Sequence, residues 1–121
     1  MRYGLAVGLA VMLGAGSALA EGDPAAGKTA FNKCAACHAV APGVNKIGPS
    51  MHGVVGRHAG SVESFNYSPA MKAYDVTWDR ESLDKYLLAP RETVAGTKMI
   101  FVGLKNETER ANVIAYLETL K

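Results

Sequence analysis

The chain has 121 residues, with 13 Lys and Arg against 11 Asp and Glu for a net charge of +2. That is enough for one small domain, and a charge so near zero argues against nucleic-acid binding, which needs a marked basic excess. With only two cysteines, Cys34 and Cys37, a multi-bridge disulfide scaffold is also excluded.

Residues 1–20 read MRYGLAVGLAVMLGAGSALA, with one positive charge at Arg2, an uncharged apolar run and the small-x-small ending Ala18-Leu19-Ala20. This pattern predicts a secretory signal peptide, cleaved before Glu21. A membrane anchor would want about 20 strongly apolar residues, whereas this run is diluted by Gly4, Gly8, Gly14 and Gly16. Residues 21–121 are then the exported domain. Without Arg2, 12 basic residues face 11 acidic ones, so an electrostatic partner must be met through a local patch.

The first predicted helix spans 24–33, with Asp23 as cap and Pro24 at the first helical position. Residues 39–64 are rich in Gly and Pro without sustained period and read as loop. Ser68-Pro69 starts a short helix to about Ala73. Another begins near Thr77 to Asp79 and stops around Ala89, because Pro90 disfavours helix in the residue before it. In the last helix Asn106 is the cap, Glu109 sits three residues on, and apolar side chains recur at Val113, Tyr116, Leu117 and Leu120. No strand alternates convincingly. The expectation is a small all-α domain, three to five short helices joined by Gly/Pro-rich loops, whose thin core a large apolar ligand would complete.

Residues 34–38 read Cys-Ala-Ala-Cys-His. The spacing fits three chemistries. A redox disulfide would need a preceding strand and a sheet. Zinc would need a fourth ligand beyond the two thiolates and His38, with His52 or His58 available but in no recognised pairing. Covalent haem would use Cys34 and Cys37 as thioethers and His38 as an iron ligand. The motif together with an export signal favours haem, and the sixth ligand then decides the chemistry. Met51, Met71, Met99, His52 and His58 all compete for it. Met99 leads modestly, because it follows Pro90 and the turn at Gly96 in an irregular stretch.

Beyond the pentapeptide, the segments "GKTAFNKCAACH", "KIGPSMHGVVGR", "FNYSPAMKAY" and "YLLAPRETVAGTKMIFVGLKNETERANVIAYL" resemble the class I cytochromes c, the soluble mitochondrial-like and bacterial c2 group. The resemblance covers nearly all of residues 21–121. It implies one covalently attached haem c, with Cys34 and Cys37 as attachment points and His38 and Met99 as axial ligands. It further implies that the Pro49 carbonyl holds the ligand imidazole, a role expected around a metal-bound histidine. Arg57, Tyr67 and Trp78 would hold a buried propionate, while Tyr86 and Thr97 would stand beside the methionine sulfur. Gly27, Phe31 and Tyr116 resemble the contact between first and last helices.

The same resemblance implies a monomeric periplasmic one-electron carrier rather than an enzyme. It would pass electrons between redox proteins with acidic docking surfaces: a cytochrome bc1 complex, a cytochrome oxidase, a photosynthetic reaction centre or a periplasmic dehydrogenase. Contact with a membrane would be peripheral at most, and with nucleic acid absent. Lys33, Lys46, Arg91, Lys98 and Lys105 match a basic ring around the haem edge and are the expected docking cations. Two departures stand out. Met71 occupies a position where the family often has asparagine, and His58 follows Arg57 where other residues are usual and is expected to be a plain surface histidine.

Overall fold

The computed structural model describes Gly8 and residues 21–121; apart from Gly8, the predicted signal peptide lies outside the described residues. Helix α1, Pro24–Ala30, begins where the Asp23 carboxylate accepts the Ala25 N–H at 3.0 Å and Pro24 fills the first turn. It then tightens into a 3-10 turn, Phe31–Lys33, so the helix expected over 24–33 is split in two. The cause is local. The Phe31 carbonyl accepts from Cys34 at 2.7 Å and Ala35 at 3.0 Å, and the three-residue bond winds the chain tighter before the pentapeptide.

Ser68 caps α2, Pro69–Ala73, by accepting the Met71 N–H. Helix α3, Arg80–Leu88, opens on a reciprocal box between Asp79 and Ser82. Pro90 ends it at Ala89 and at once starts α4, Pro90–Thr93, where an irregular stretch was expected. Proline obstructs the helix before it but is pre-organised for the first position of the next. Helix α5, Glu107–Glu118, is capped by Asn106, whose side chain accepts the Glu109 N–H at 2.9 Å. The Glu109 carboxylate meets Lys33 at 2.5 Å, so it bridges to α1's end rather than closing the cap. Among the described residues no strand forms, only one antiparallel bridge between His58 and Thr77. No described helix is long and apolar enough to cross a membrane.

The main contact is α1 against α5. A Cβ at Gly27 would collide with the Asn112 carbonyl and the Tyr116 Cβ, so glycine permits the approach. Phe31 and Tyr116 then stack tilted, with ring centroids 5.4 Å apart. Helix α3 packs on another side of α5. Burial there consequently extends beyond the Val113, Tyr116, Leu117 and Leu120 stripe to Arg110, Ile114 and Ala115. Val113 and Ile114 are each 1% exposed, and burial of such side chains stabilises by roughly 1.5–3 kcal/mol apiece. Arg110 is held by Asp84 of α3 and by the carbonyls of Leu104 and Lys105. The buried cluster joins Phe31, Val54, Met71, Trp78, Leu83, Tyr86, Val94 and Leu104 to α5, so helices and loops share one core.

Candidate cofactor site

The pentapeptide is wound into consecutive turns, with the Cys34 carbonyl accepting from Cys37 at 3.0 Å and from His38 at 2.9 Å. Both cysteines are half-buried and make no disulfide, and Cys34 packs against the main core. Burial, helped by Cys37 and opposed by Lys33, pushes the Cys34 thiol pKa up.

A loop is strapped beneath this turn, the Cys37 carbonyl accepting from Gly48 at 2.8 Å and the Ala39 carbonyl from Met51 at 2.9 Å. The His38 Nδ1–H donates to the Pro49 carbonyl at 2.8 Å. That bond fixes tautomer and ring plane, and leaves Nε2 with a free lone pair. A Cβ at Gly48 would run into the His38 ring, so only glycine lets the loop close on the imidazole. Burial pushes the His38 pKa down; the Pro49 bond opposes this and the Arg57 charge adds to it. A neutral imidazole with one directed lone pair is the form that binds a metal.

Arg57 points its Nη1 at the carbonyls of Ser50, 3.0 Å away, and His52, 3.4 Å away. Burial lowers its pKa and Tyr67 opposes the shift, but a guanidinium keeps its proton at physiological pH. The Arg57 carbonyl accepts the Trp78 N–H at 2.9 Å. Trp78 lies between Tyr74 and Tyr86, centroids 5.8 and 5.2 Å away. The Tyr67 hydroxyl accepts the Val62 N–H at 3.2 Å. Tyr86 and Thr97 share a hydroxyl–hydroxyl bond of 2.8 Å, and Thr97 Oγ1 also accepts the Met99 N–H at 3.4 Å. Burial pushes the Tyr86 phenol upward against the Thr97 bond, which keeps it a neutral partner. Cys34, Tyr67 and Met99 all pack on the cluster that contains Trp78 and Tyr86. The structure thus gathers residues from five separate stretches of chain about one core.

Two of the competing ligands, Met71 and His58, have other occupations, while Met51 packs partly buried on the same core as Met99. Met71 is buried in the core at 9% exposure, on α2, and is the apolar filler its type suggests. His58 is the exposed histidine expected from sequence, and its ring engages Asp75. Among the described residues, no three His, Cys, Asp or Glu side chains converge as a metal site requires, and no sheet frames the two cysteines. Neither a zinc knuckle nor a thioredoxin-like frame is present there. The residues fit haem: two adjacent cysteines, a neutral imidazole with Nε2 left free by the Pro49 bond, a thioether in a hydroxyl-pinned loop and the half-buried Arg57 cation.

All five expected docking cations have structural partners. Lys33 meets Glu109, Lys46 donates to the Ala35 carbonyl at 3.0 Å, and Arg91 to the Ile100 carbonyl at 3.0 Å. Lys98 donates to the Asn66 carbonyl at 2.9 Å and Lys105 to the Leu88 carbonyl at 2.7 Å. They remain exposed charges while stapling the segments around the site. Three positioning residues escaped the sequence reading. Gly48 cradles the histidine, while buried Ser50 and Asn45 brace the proline loop, the Asn45 carboxamide accepting the Ser50 N–H at 3.1 Å. The sequence marked this stretch as a Gly/Pro-rich loop without marking these three residues.

The family model for cytochrome c matches residues 24–121. A cytochrome c2 from Rhodomicrobium vannielii is 50% identical over 111 residues, covering 91% of this chain and 89% of its own length. A cytochrome c2 from Rhodoblastus acidophilus is 50% identical over 101 residues, covering 83% of this chain and 94% of its own. Among solved structures, cytochrome cH from Methylobacterium extorquens superposes with a TM-score of 0.77 at 41% identity, covering 81% of this chain and 99% of its own. The chain therefore belongs to the cytochrome c family, electron carriers rather than enzymes, built around a covalently bound haem c.

Proposed function

We propose that this chain is a soluble periplasmic one-electron carrier with a single His/Met-ligated haem, delivered by cleavage of residues 1–20 as a signal peptide. Cys34 and Cys37 would hold the haem as thioethers, His38 Nε2 and the Met99 sulfur would ligate its iron, and Arg57, Tyr67 and Trp78 would support its propionate side. The observation that carries this reading is the His38 Nδ1–H bond to the Pro49 carbonyl at 2.8 Å. It leaves the ring's other nitrogen free to coordinate, directly after a paired-cysteine turn.

Haem c supplies the one-electron iron couple when bound. His38 and Met99 would occupy both axial positions, leaving no open place for a substrate. The Pro49 carbonyl holds the imidazole, and the Tyr86–Thr97–Met99 chain of bonds holds the methionine loop. Both ligands are thereby restrained in one geometry through a change of oxidation state. A thioether ligand in buried surroundings favours the reduced form and raises the potential.

Partners with acidic docking surfaces, such as a cytochrome bc1 complex, a terminal oxidase, a reaction centre or a periplasmic dehydrogenase, would meet Lys33, Lys46, Arg91, Lys98 and Lys105. The acids Asp84 and Glu118 are taken up by Arg110 and Arg80, while Glu109 offsets Lys33 itself. Lys46, Arg91, Lys98 and Lys105 have no acidic partner among the described ion pairs. Those two acids are locally compensated and these four cations are not, which supports steering by the cations beside the site. The test is expression with the leader intact, followed by a pyridine haemochrome spectrum and intact mass. The reading expects a c-type spectrum, one haem per chain and an N-terminus at Glu21. A b-type spectrum, or titratable thiols after denaturation, would refute the attachment.

A further inference from the structure

The ring of His58 contacts two acceptors at once. Its Nδ1 lies 2.9 Å from the Ala59 carbonyl and its Nε2 lies 2.9 Å from Asp75 Oδ1. A carbonyl and a carboxylate only accept, and a neutral imidazole carries a single N–H. Only the imidazolium satisfies both contacts.

The position of this ring gives the proton a structural consequence. Residues 56–59 run against 76–78: the Gly56 N–H donates to the Trp78 carbonyl at 2.7 Å, and the Ala59 N–H to the Val76 carbonyl at 2.8 Å. With the Trp78 N–H on the Arg57 carbonyl, these bonds make a short ribbon closing the base of loop 60–75. That loop contains Tyr67 and α2. His58 and Asp75 sit on opposite arms at the mouth of the loop, beside the bridge to Thr77.

We propose that His58 is a proton-operated clasp, which in its imidazolium form fastens loop 60–75 to the ribbon carrying Arg57 and Trp78. On the ribbon, Arg57 turns away to the Ser50 and His52 carbonyls. On the opposite arm, Asp75 carries the charge facing the ring and Tyr74 stacks on Trp78. From the loop, the Ser61 hydroxyl bonds the His58 carbonyl at 2.6 Å and does not titrate in this range. Asp75 is therefore the charge that sets the clasp.

The bond to Asp75, and then that to Ala59, hold the His58 pKa above its ordinary value. In an unfolded chain histidine titrates near ~6.5. The clasp's stabilisation is thus complete below that pH and is lost as pH rises through the higher folded value. Asp75 is 96% exposed, and exposed ion pairs are individually weak. The outcome is a local loosening of loop 60–75, not global unfolding. The clasp rests on loop geometry and is independent of the axial-ligand assignment.

The test uses ferric holoprotein above about pH 5, comparing wild type, Asp75→Asn and His58→Gln. Nitrogen-15 NMR of the His58 ring gives its titration, and thermal midpoints against pH give the linkage. The clasp predicts titration above the ordinary histidine value in wild type and a downward shift in Asp75→Asn. It also predicts a midpoint gap between those two proteins that is widest on the acid side and closes as pH rises. His58→Gln should show no pH-dependent gap when Asp75→Asn is added. Titration of wild-type His58 at or below the ordinary value, or a midpoint gap constant with pH, overturns the proposal. Asp75→Asn changes a nearly fully exposed side chain, so the test survives if His58→Gln folds poorly.

Discussion

Replacing Arg110 by methionine is a severe test of how α5 anchors the methionine loop. The Arg110 side chain is 8% exposed and its Asp84 partner 45%. The guanidinium bonds Asp84 Oδ1 at 2.8 Å and the carbonyls of Leu104 at 3.0 Å and Lys105 at 3.2 Å. Methionine keeps most of the packing volume and removes the donors. Asp84 and Lys105 are open enough to regain water, so the ion pair itself is worth about 1 kcal/mol or less. Leu104 is 3% exposed, and a buried carbonyl left without a donor costs about 1–3 kcal/mol. The sum is about 1–4 kcal/mol, or roughly 5–30 °C in Tm for a domain of this size. Urea denaturation of the holoprotein with an unchanged slope should give the same loss. Asp84→Asn should cost less than half as much, because it leaves the Leu104 carbonyl satisfied. Arg110→Met within about 0.5 kcal/mol of wild type, the usual range of neutral surface changes, would refute the reasoning, as would Asp84→Asn costing as much as Arg110→Met.

Gly27→Val should prevent the α1–α5 approach and destabilise the holoprotein by about 3 kcal/mol or more, at the upper end of overpacking costs, read by thermal melting; a loss under about 1 kcal/mol would mean the helices can part without penalty. Thr97→Val removes the hydroxyl shared by Tyr86 and the Met99 N–H, and should cost about 1 kcal/mol, with the iron–methionine absorption lost at lower denaturant than in wild type. Electron-transfer rates to an acidic partner should fall steadily with added salt, since screening shortens from about 10 Å at 0.1 M to about 3 Å at 1 M. Lys98→Gln should slow transfer at low salt and converge on wild type at high salt. Rates indifferent to salt would remove the docking role of the five cations.

The helix ends were readable where capping chemistry is local. Asp23-Pro24, Ser68-Pro69 and Asn106 each mark their helix starts within a residue. The pentapeptide was readable because covalent spacing is a property of sequence. What the sequence hid depends on contacts across the chain. Glu109 has the spacing of a cap partner, but Lys33, far away in sequence, takes its carboxylate. Helix α4 hid because Pro90 both stops one helix and starts another. The His58 contact was hidden because Asp75 reaches the ring only after loop 60–75 closes. Gly48 was visible only as a loop residue, since the ring it accommodates arrives from residue 38. Met99 drew its priority from the family pattern. The Thr97 and Tyr86 bonds that restrain its loop depend on folding α3 against residues 94–99.

The central claim is that His38 and Met99 close the iron on both faces. Its most direct test is the far-red iron–sulfur absorption of the ferric holoprotein at neutral pH, in wild type and in Met99→Ala, Met51→Leu and Met71→Leu. The band should be present in wild type and in the Met51 and Met71 variants, and absent in Met99→Ala. Its absence from wild type, or its survival in Met99→Ala, would contradict the account.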